Sequence, residues 1–313
     1  MSEPSFTFIS LTASRKRSIV TMGIETVGIV GTGQMGLGIA QLLAQQGIRT
    51  VAIKMTGGDV SGKYATVDKS LQKLVDREKL TAEQKEHILE ALTITTDLHE
   101  LRDCDLVIES IVEEMDRKQQ LFHELEQITS ETCLLASNTS TLGITELASA
   151  VQHRERLVGL HFFNPATVMK LVEIIPTLHT PNDTVERLHK WVEAIGKTPV
   201  VVKDETGFIV NRLLTPYMVD AIRAYERGLA DAAAIDTAMK LGCNHPMGPL
   251  ELADYIGLDI VYHMATNLYE TFKEPRLAPP PLLRTLVIAE QLGRKSGLGF
   301  YDYSTRPATP RKL

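Results

Sequence analysis

Cysteine is scarce in this chain. Cys104, Cys133 and Cys243 are the only three in 313 residues, odd in number, far apart and without a CxxC pair. That excludes a disulfide framework and a thiolate zinc site, and it fits a reducing compartment. Long apolar runs are absent too: charged residues, Gly or Pro interrupt each run well short of the roughly 18 residues that cross a bilayer. There is no basic excess, the net charge being -6, so nothing points to nucleic acid. No internal repeat or low-complexity tract occurs apart from "APPP" at 278–281, which reads as a helix breaker. One further absence is local. The strand-like stretch "VAIKMTGG" (51–58) ends without an acidic residue, Lys54 and Met55 standing there instead.

What remains is 43% hydrophobic and 23% charged, the composition of a soluble globular protein with one large or two moderate domains. A cytoplasmic location, no membrane contact and no metal are expected. Residues 1–22 are rich in Ser and Thr and carry Arg15, Lys16 and Arg17, as a mitochondrial transit peptide does. Glu3 and the lack of an amphipathic pattern favour a disordered extension, or an upstream start before Met22.

From residue 23 the pattern alternates. Strand-like runs at 25–30, 49–53, 106–110, 133–138, 157–163 and 170–176 are separated by helical stretches at 35–46, 116–129 and 145–150. Two charged helical segments, 64–78 and 81–91, read as an inserted hairpin. The series predicts an α/β fold, a doubly wound Rossmann-type sheet covering 23–206 that closes with a strand and link at 198–208. Beyond Gly207 strand signals nearly vanish, while 209–227, 232–241 and 258–272 are helical, which predicts an all-α domain over 207–313.

Gly31, Gly33 and Gly36 form G-x-G-x-x-G after a strand and at a helix start. In that context the glycines permit a tight turn, close approach of a pyrophosphate and close helix packing, so a dinucleotide is the expected ligand. Its usual companion is an Asp or Glu at the end of the next strand, where Lys54 and Met55 stand. His161, in "HFFNP", and Glu173 lie on successive strand-like runs and could form an acid–base pair, although spacing alone does not make them touch. "SNTSTL" (137–142) clusters hydroxyl and amide donors that suit an oxyanion or cofactor, or equally a capped turn. Asn211 begins the helical part among apolar residues.

Taken in order, "GIVGTGQMGLGIAQ", "VIESIVEEMDRKQQLFHEL", "SNTSTL", "GLHFFNPATVMKLVEII", "GFIVNRLL", "NHPMGPLELADYIGLD" and "GRKSGLGFYDY" resemble the L-3-hydroxyacyl-CoA dehydrogenase family, in particular its bacterial 3-hydroxybutyryl-CoA dehydrogenases, over residues 27–303. The resemblance implies an oxidoreductase of fatty acid metabolism that interconverts a 3-hydroxyacyl thioester and its 3-oxoacyl form. By motif, His161 is implied as catalytic base, Glu173 as its orienting partner, Ser140 as the residue holding the 3-oxygen and Asn211 as a substrate-contacting amide. Gly31, Gly33, Gln34, Met35, Gly36, Lys54, Met55, Glu113, Lys118 and Asn138 fall at the cofactor, while Lys69 and Lys73 suit coenzyme A phosphates. A homodimer through the helical domain is also implied. The family's ribose-binding Asp falls at Met55, which leaves NAD or NADP as the cofactor and Lys54 as a candidate for the 2′-phosphate. Other readings are the same chemistry on an acyl-carrier-protein thioester or a free hydroxy acid, or a nucleotide-binding relative without catalysis. The four matched site residues argue against the last, and "HFFNP" against the wider β-hydroxyacid dehydrogenases that use a lysine.

Overall fold

A computed structural model describes residues 23–313, so the expected disordered extension, 1–22, lies outside the described residues. Two compact units divide the chain, the first ending at Asp204 and the second starting at Glu205.

The first unit contains β1 (Thr26–Val30), α1 (Gln34–Gln45), β2 (Arg49–Ile53), α2 (Ser61–Val75), α3 (Ala82–Glu90), β3 (Leu92–Thr95), β4 (Leu106–Glu109), α4 (Met115–Ile128), β5 (Leu134–Ser137), α5 (Ile144–Ala148), β6 (Leu157–Phe162), β7 (Leu171–Pro176), α6 (Asn182–Ala194) and β8 (Thr198–Val201). The eight strands form one sheet in the order 3-2-1-4-5-6-7-8. Neighbours run parallel except that β7 runs antiparallel to β6. This is the expected doubly wound sheet. Chain order reverses between β1 and β4, and in such sheets the crevice beyond the strand ends at that reversal is where a ligand lies.

Strands β1, β4 and β5 are almost wholly apolar and buried, as parallel strands covered on both faces must be. Helix α1 buries Leu37, Ile39, Leu42 and Leu43 on the sheet and stops before Gly47, whose φ of 71° suits a helix C-terminus. The expected hairpin is α2 and α3. Helix α2 buries only Val67 and Leu71, and a capping box between Thr81 and Gln84 starts α3. Strand β3 and helix α6 are additions to the expected elements. Four residues at a sheet edge, with Leu92 and Ile94 buried and Thr93 exposed, make β3 too short for a distinct signal.

The second unit packs α7 (Val210–Glu226), α8 (Ala232–Gly242), α9 (Pro249–Ile256), α10 (Leu258–Phe272) and α11 (Pro281–Ile288) around a core that includes Met218, Leu250, Val261, Leu283 and Phe300. One correction applies here: a small antiparallel pair, β9 (Tyr301–Asp302) with β10 (Thr309–Pro310), interrupts the all-α expectation. At "APPP" helical structure breaks as expected, residues 278–280 being non-helical, and Pro281 then opens α11 in its first turn, where a missing N–H costs nothing. Among the described residues no helix is long and apolar enough to cross a membrane.

Two buried carboxylates tie the C-terminal segment to this bundle. Asp236 accepts from Leu250 N at 2.8 Å, Glu251 N at 2.9 Å and the Tyr301 hydroxyl at 2.7 Å. Asp254, fully buried, accepts from Phe300 N, Tyr301 N and the Tyr303 hydroxyl at 3.0, 2.9 and 3.0 Å. Gly299 is bare because a Cβ there would collide with the Asp254 carboxylate. Burial pushes Asp254 up from 3.8 to about 6, outweighing the hydrogen bonds that favour its charged form, with Asp236 adding repulsion.

Asp254→Asn would turn an amide toward the Tyr301 and Tyr303 donors and should destabilise this unit by about 1–3 kcal/mol. The folded-state pKa is raised, so the carboxyl's titration favours the folded state fully below about pH 4 and that contribution is lost as pH rises through about 6. Calorimetry across that range should find the wild type's advantage over Asp254→Asn largest at the acidic end. A gap that widened with pH would contradict this account.

Candidate active site

The glycine turn after β1 separates what the fold requires from what a ligand requires. Gly31 N donates to Ile53 O at 2.9 Å, its φ is 109°, and a Cβ on it would strike the Ser110 carbonyl. A Cβ on Gly36 would strike the carbonyl of Gly31. Both glycines are therefore demanded by the chain itself. Gly33 is not: a Cβ there would meet nothing within 4 Å, and the residue is exposed at the start of α1. Its bareness leaves open backbone at a helix N-terminus, where the dipole and unpaired N–H groups favour an anion, so the turn fits a dinucleotide pyrophosphate. Beside it Gln34 is exposed and its Nε2 donates to Asn164 Oδ1 at 3.3 Å, while Met35 packs against the core.

At the end of β2, Met55 is 44% exposed and the Lys54 ammonium folds back onto the Gly57 carbonyl. Asp59, the next acid along the chain, is engaged by the backbone and hydroxyl of Ser61, which lower its pKa. A second cation, not expected from sequence, completes this rim: Lys63 of α2 donates to the Thr32 carbonyl, inside the glycine turn, at 2.9 Å. Lys69 and Lys73 lie further along α2 and are exposed.

Strand ends on the other side of β1 carry a network centred on Glu109, which is fully buried. Its Oε1 accepts from Ile111 N at 2.7 Å and from Lys118 Nζ at 2.5 Å, and its Oε2 accepts from the Ser137 hydroxyl at 2.6 Å. Lys118 also reaches Glu113 at 3.2 Å. Glu113 Oε1 in turn takes Thr139 Oγ1, Ser140 N, Thr141 N and Thr141 Oγ1 at 2.6 to 3.1 Å. Burial alone would raise the Glu113 pKa, but Lys118 and these donors outweigh it and hold the carboxyl below the usual range. The Glu113 carboxylate thus anchors the turn that presents Ser140. Asn138 is turned inward, its carbonyl oxygen accepting from Phe162 N at 2.8 Å and its amide reaching Ser110 Oγ at 3.5 Å. Glu109 was not among the expected site residues, although a single acid in the apolar run "LVIES" was the available signal.

On the antiparallel pair, His161 stands directly opposite Glu173, and Nδ1 lies 2.7 Å from Oε2. They are 4% and 1% exposed, and the Phe163 ring packs on the imidazole with centroids 4.5 Å apart. Engaging Nδ1 fixes the tautomer and turns Nε2 away from the carboxylate, an arrangement suited to moving one proton. Asn211 belongs to the second unit, in the first turn of α7. No cluster of His, Cys, Asp or Glu suited to a metal occurs among the described residues.

Comparison with known proteins identifies the family. Residues 26–205 match the 3-hydroxyacyl-CoA dehydrogenase NAD-binding domain, and residues 207–303 match the C-terminal domain of the same family. The chain is 43% identical to a 3-hydroxybutyryl-CoA dehydrogenase of Mycobacterium tuberculosis, over 90% of this chain and 99% of that one. It is 44% identical to the human mitochondrial hydroxyacyl-coenzyme A dehydrogenase over 93% and 94% of the two chains. Among solved structures, the (S)-3-hydroxybutyryl-CoA dehydrogenase of Ralstonia eutropha superposes with a TM-score of 0.86 at 42% identity, covering 90% of this chain and all of that one. The eight-stranded sheet, the glycine turn at its reversal and these matches along both units together make the chain a member of the 3-hydroxyacyl-CoA dehydrogenase family.

Proposed function

We propose that His161 is the acid–base group with which this NAD-binding enzyme interconverts a 3-hydroxyacyl-CoA and its 3-oxoacyl form, and that the acyl group is short, as in 3-hydroxybutyryl-CoA. The glycine turn at Gly31, Gly33 and Gly36 would hold the dinucleotide, which would supply the hydride chemistry at C3. His161 removes the hydroxyl proton through Nε2 in the oxidative direction and delivers it in the reductive one. Glu173 holds the tautomer and stabilises the imidazolium. Ser140, on the turn anchored by Glu113, holds the 3-oxygen, and Asn211 contacts the substrate. Lys69 and Lys73 meet the coenzyme A phosphates, and Lys118 with Glu113 supports the cofactor cleft. The observation that carries the reading is the buried His161–Glu173 pair at 2.7 Å. His161→Ala should lower kcat with acetoacetyl-CoA by at least about 100-fold, the scale of general acid–base catalysis, with little change in nucleotide affinity. A purified variant with near-normal kcat would refute the assignment.

The proposal extends to the cofactor: NADP(H) is used at least as well as NAD(H). An Asp at position 55 would accept from the ribose hydroxyls and repel a 2′-phosphate, and Met55 does neither. Lys54, next to that position, folds onto the Gly57 carbonyl, and Lys63 reaches the Thr32 carbonyl in the glycine turn, so two cations are available to a 2′-phosphate. The check is kcat/KM with both cofactors in the wild type, Met55→Asp and Lys63→Gln. Both substitutions should swing preference toward NADH. A wild-type preference for NADH of about 100-fold, roughly 2.7 kcal/mol, would sink the idea.

The family match and the predominantly helical second unit also support a homodimer, and the three dispersed cysteines a reducing compartment, which we take to be the cytoplasm. Sedimentation at micromolar concentration should give twice the 34.7 kDa of the chain. A species of chain mass only, or fractionation into an organelle, would count against the respective part.

A further inference from the structure

Lys197 lies between α6 and β8 and is only 8% exposed. Its ammonium donates to the carbonyls of Ala166 and Met169 at 2.7 and 2.6 Å. Burial alone pushes it down to about 8, with no carboxylate offsetting the desolvation. Leaving a charge in that position is unfavourable, while carbonyls of a turn are readily satisfied by water. The turn it grips is the connection between β6 and β7.

That connection has three ties to the proposed chemistry. The β6–β7 ladder ends at Phe162 and Val172, a single pair beyond His161 and Glu173, so loosening of the turn reaches the acid–base pair at once. Within the turn, Val168 N and Met169 N both donate to Pro165 O at 2.9 Å, so the Met169 carbonyl moves with the whole bend. On its outer side, Asn164 receives Gln34 of the glycine turn, and Ala166 lies 3.4 Å from where a Cβ on Gly38 of α1 would stand. The strand that follows Lys197 closes the other flank, with Thr198 N donating to Lys170 O at 2.7 Å.

We infer that Lys197 is a positioning residue: by gripping the Ala166 and Met169 carbonyls, its ammonium holds the His161–Glu173 end of the hairpin, and Asn164 with it, in fixed register against the dinucleotide turn. It acts through those residues, and the inference rests on His161 being the acid–base group.

The test uses the full-length enzyme with Lys197→Met, which keeps an unbranched side chain one atom shorter and removes the ammonium with both its hydrogen bonds, and Lys197→Arg, which keeps donors and charge. Kinetics are read below the lowest melting temperature of the set, with His161→Ala alongside. A misplacement of about 1 Å costs about 100-fold in rate. Lys197→Met should therefore lose kcat on about that scale, with KM for acetoacetyl-CoA within about 3-fold, and Lys197→Arg should recover part of it. In ¹⁵N-histidine-labelled enzyme, the Nδ1–H signal of His161 should shift or broaden in the Met variant and return toward the wild type in the Arg variant. A folded Met variant with kcat within about 2-fold and an unchanged imidazole signal would reduce Lys197 to a purely structural role, whatever its melting temperature. Should Lys197→Met fail to fold, Lys197→Gln, with one amide donor and no charge, is judged by the same criteria. Full activity in His161→Ala would instead overturn the acid–base reading itself.

Discussion

An antiparallel junction inside an otherwise parallel sheet places an imidazole opposite a carboxylate, and the remaining geometry of the site depends on that register. Residues facing each other across an antiparallel ladder have side chains on the same face a few ångströms apart. A slip of one residue would send Glu173 to the other face of the sheet and leave two buried polar groups without each other. Both are nearly removed from water, where a hydrogen bond is stronger than in solvent and a missing partner more damaging. The neighbours of the pair secure it from its flanks. Asn138 takes the Phe162 N–H, the Phe163 ring covers the imidazole, and the turn between the strands is gripped from Lys197.

The parallel part of the sheet solves a different electrostatic problem. Glu109 at the end of β4, fully buried, and Glu113 just beyond it, 30% exposed, share one buried lysine, Lys118. One cation for two carboxylates is insufficient, and the balance comes from neutral donors: the hydroxyls of Ser137, Thr139 and Thr141 and backbone N–H groups from the turn after β5. The Ser/Thr-rich composition of "SNTSTL" is thus explained before any substrate is considered. It also makes that turn's position a consequence of charge balance, because removing a donor strands part of a buried carboxylate.

Much of the fold was legible in the sequence. The β1–α1–β2 unit, the glycine turn and the change to helices after residue 207 follow from periodicity and punctuation. Less legible were elements without a distinctive pattern: β3 is a four-residue edge strand, and β9 with β10 amounts to two short pairings. For the site, the residue types of His161 and Glu173 were visible, but their contact depends on a register that spacing does not encode. The lysines show the limit most plainly. Lys54, Lys69 and Lys73 drew notice by position, whereas Lys63 and Lys197 reach carbonyls 31 residues away from them, and no local pattern reports such a reach.

The order in which these parts occur along the chain has a bearing on biosynthesis. Gly31 is held against the Ser110 carbonyl and β1 pairs with β4, so the glycine turn has its protein partners once the segment through residue 110 is available. The imidazole acquires its carboxylate only with Glu173, and the grip on the connecting turn comes later still, with Lys197. Domains fold as units, the N-terminal domain first as the chain leaves the ribosome. A chain emerging in this sequence presents the strands of its glycine turn well before those of the His161–Glu173 pair, and its first unit can close as a whole only once Lys197 and β8 are available.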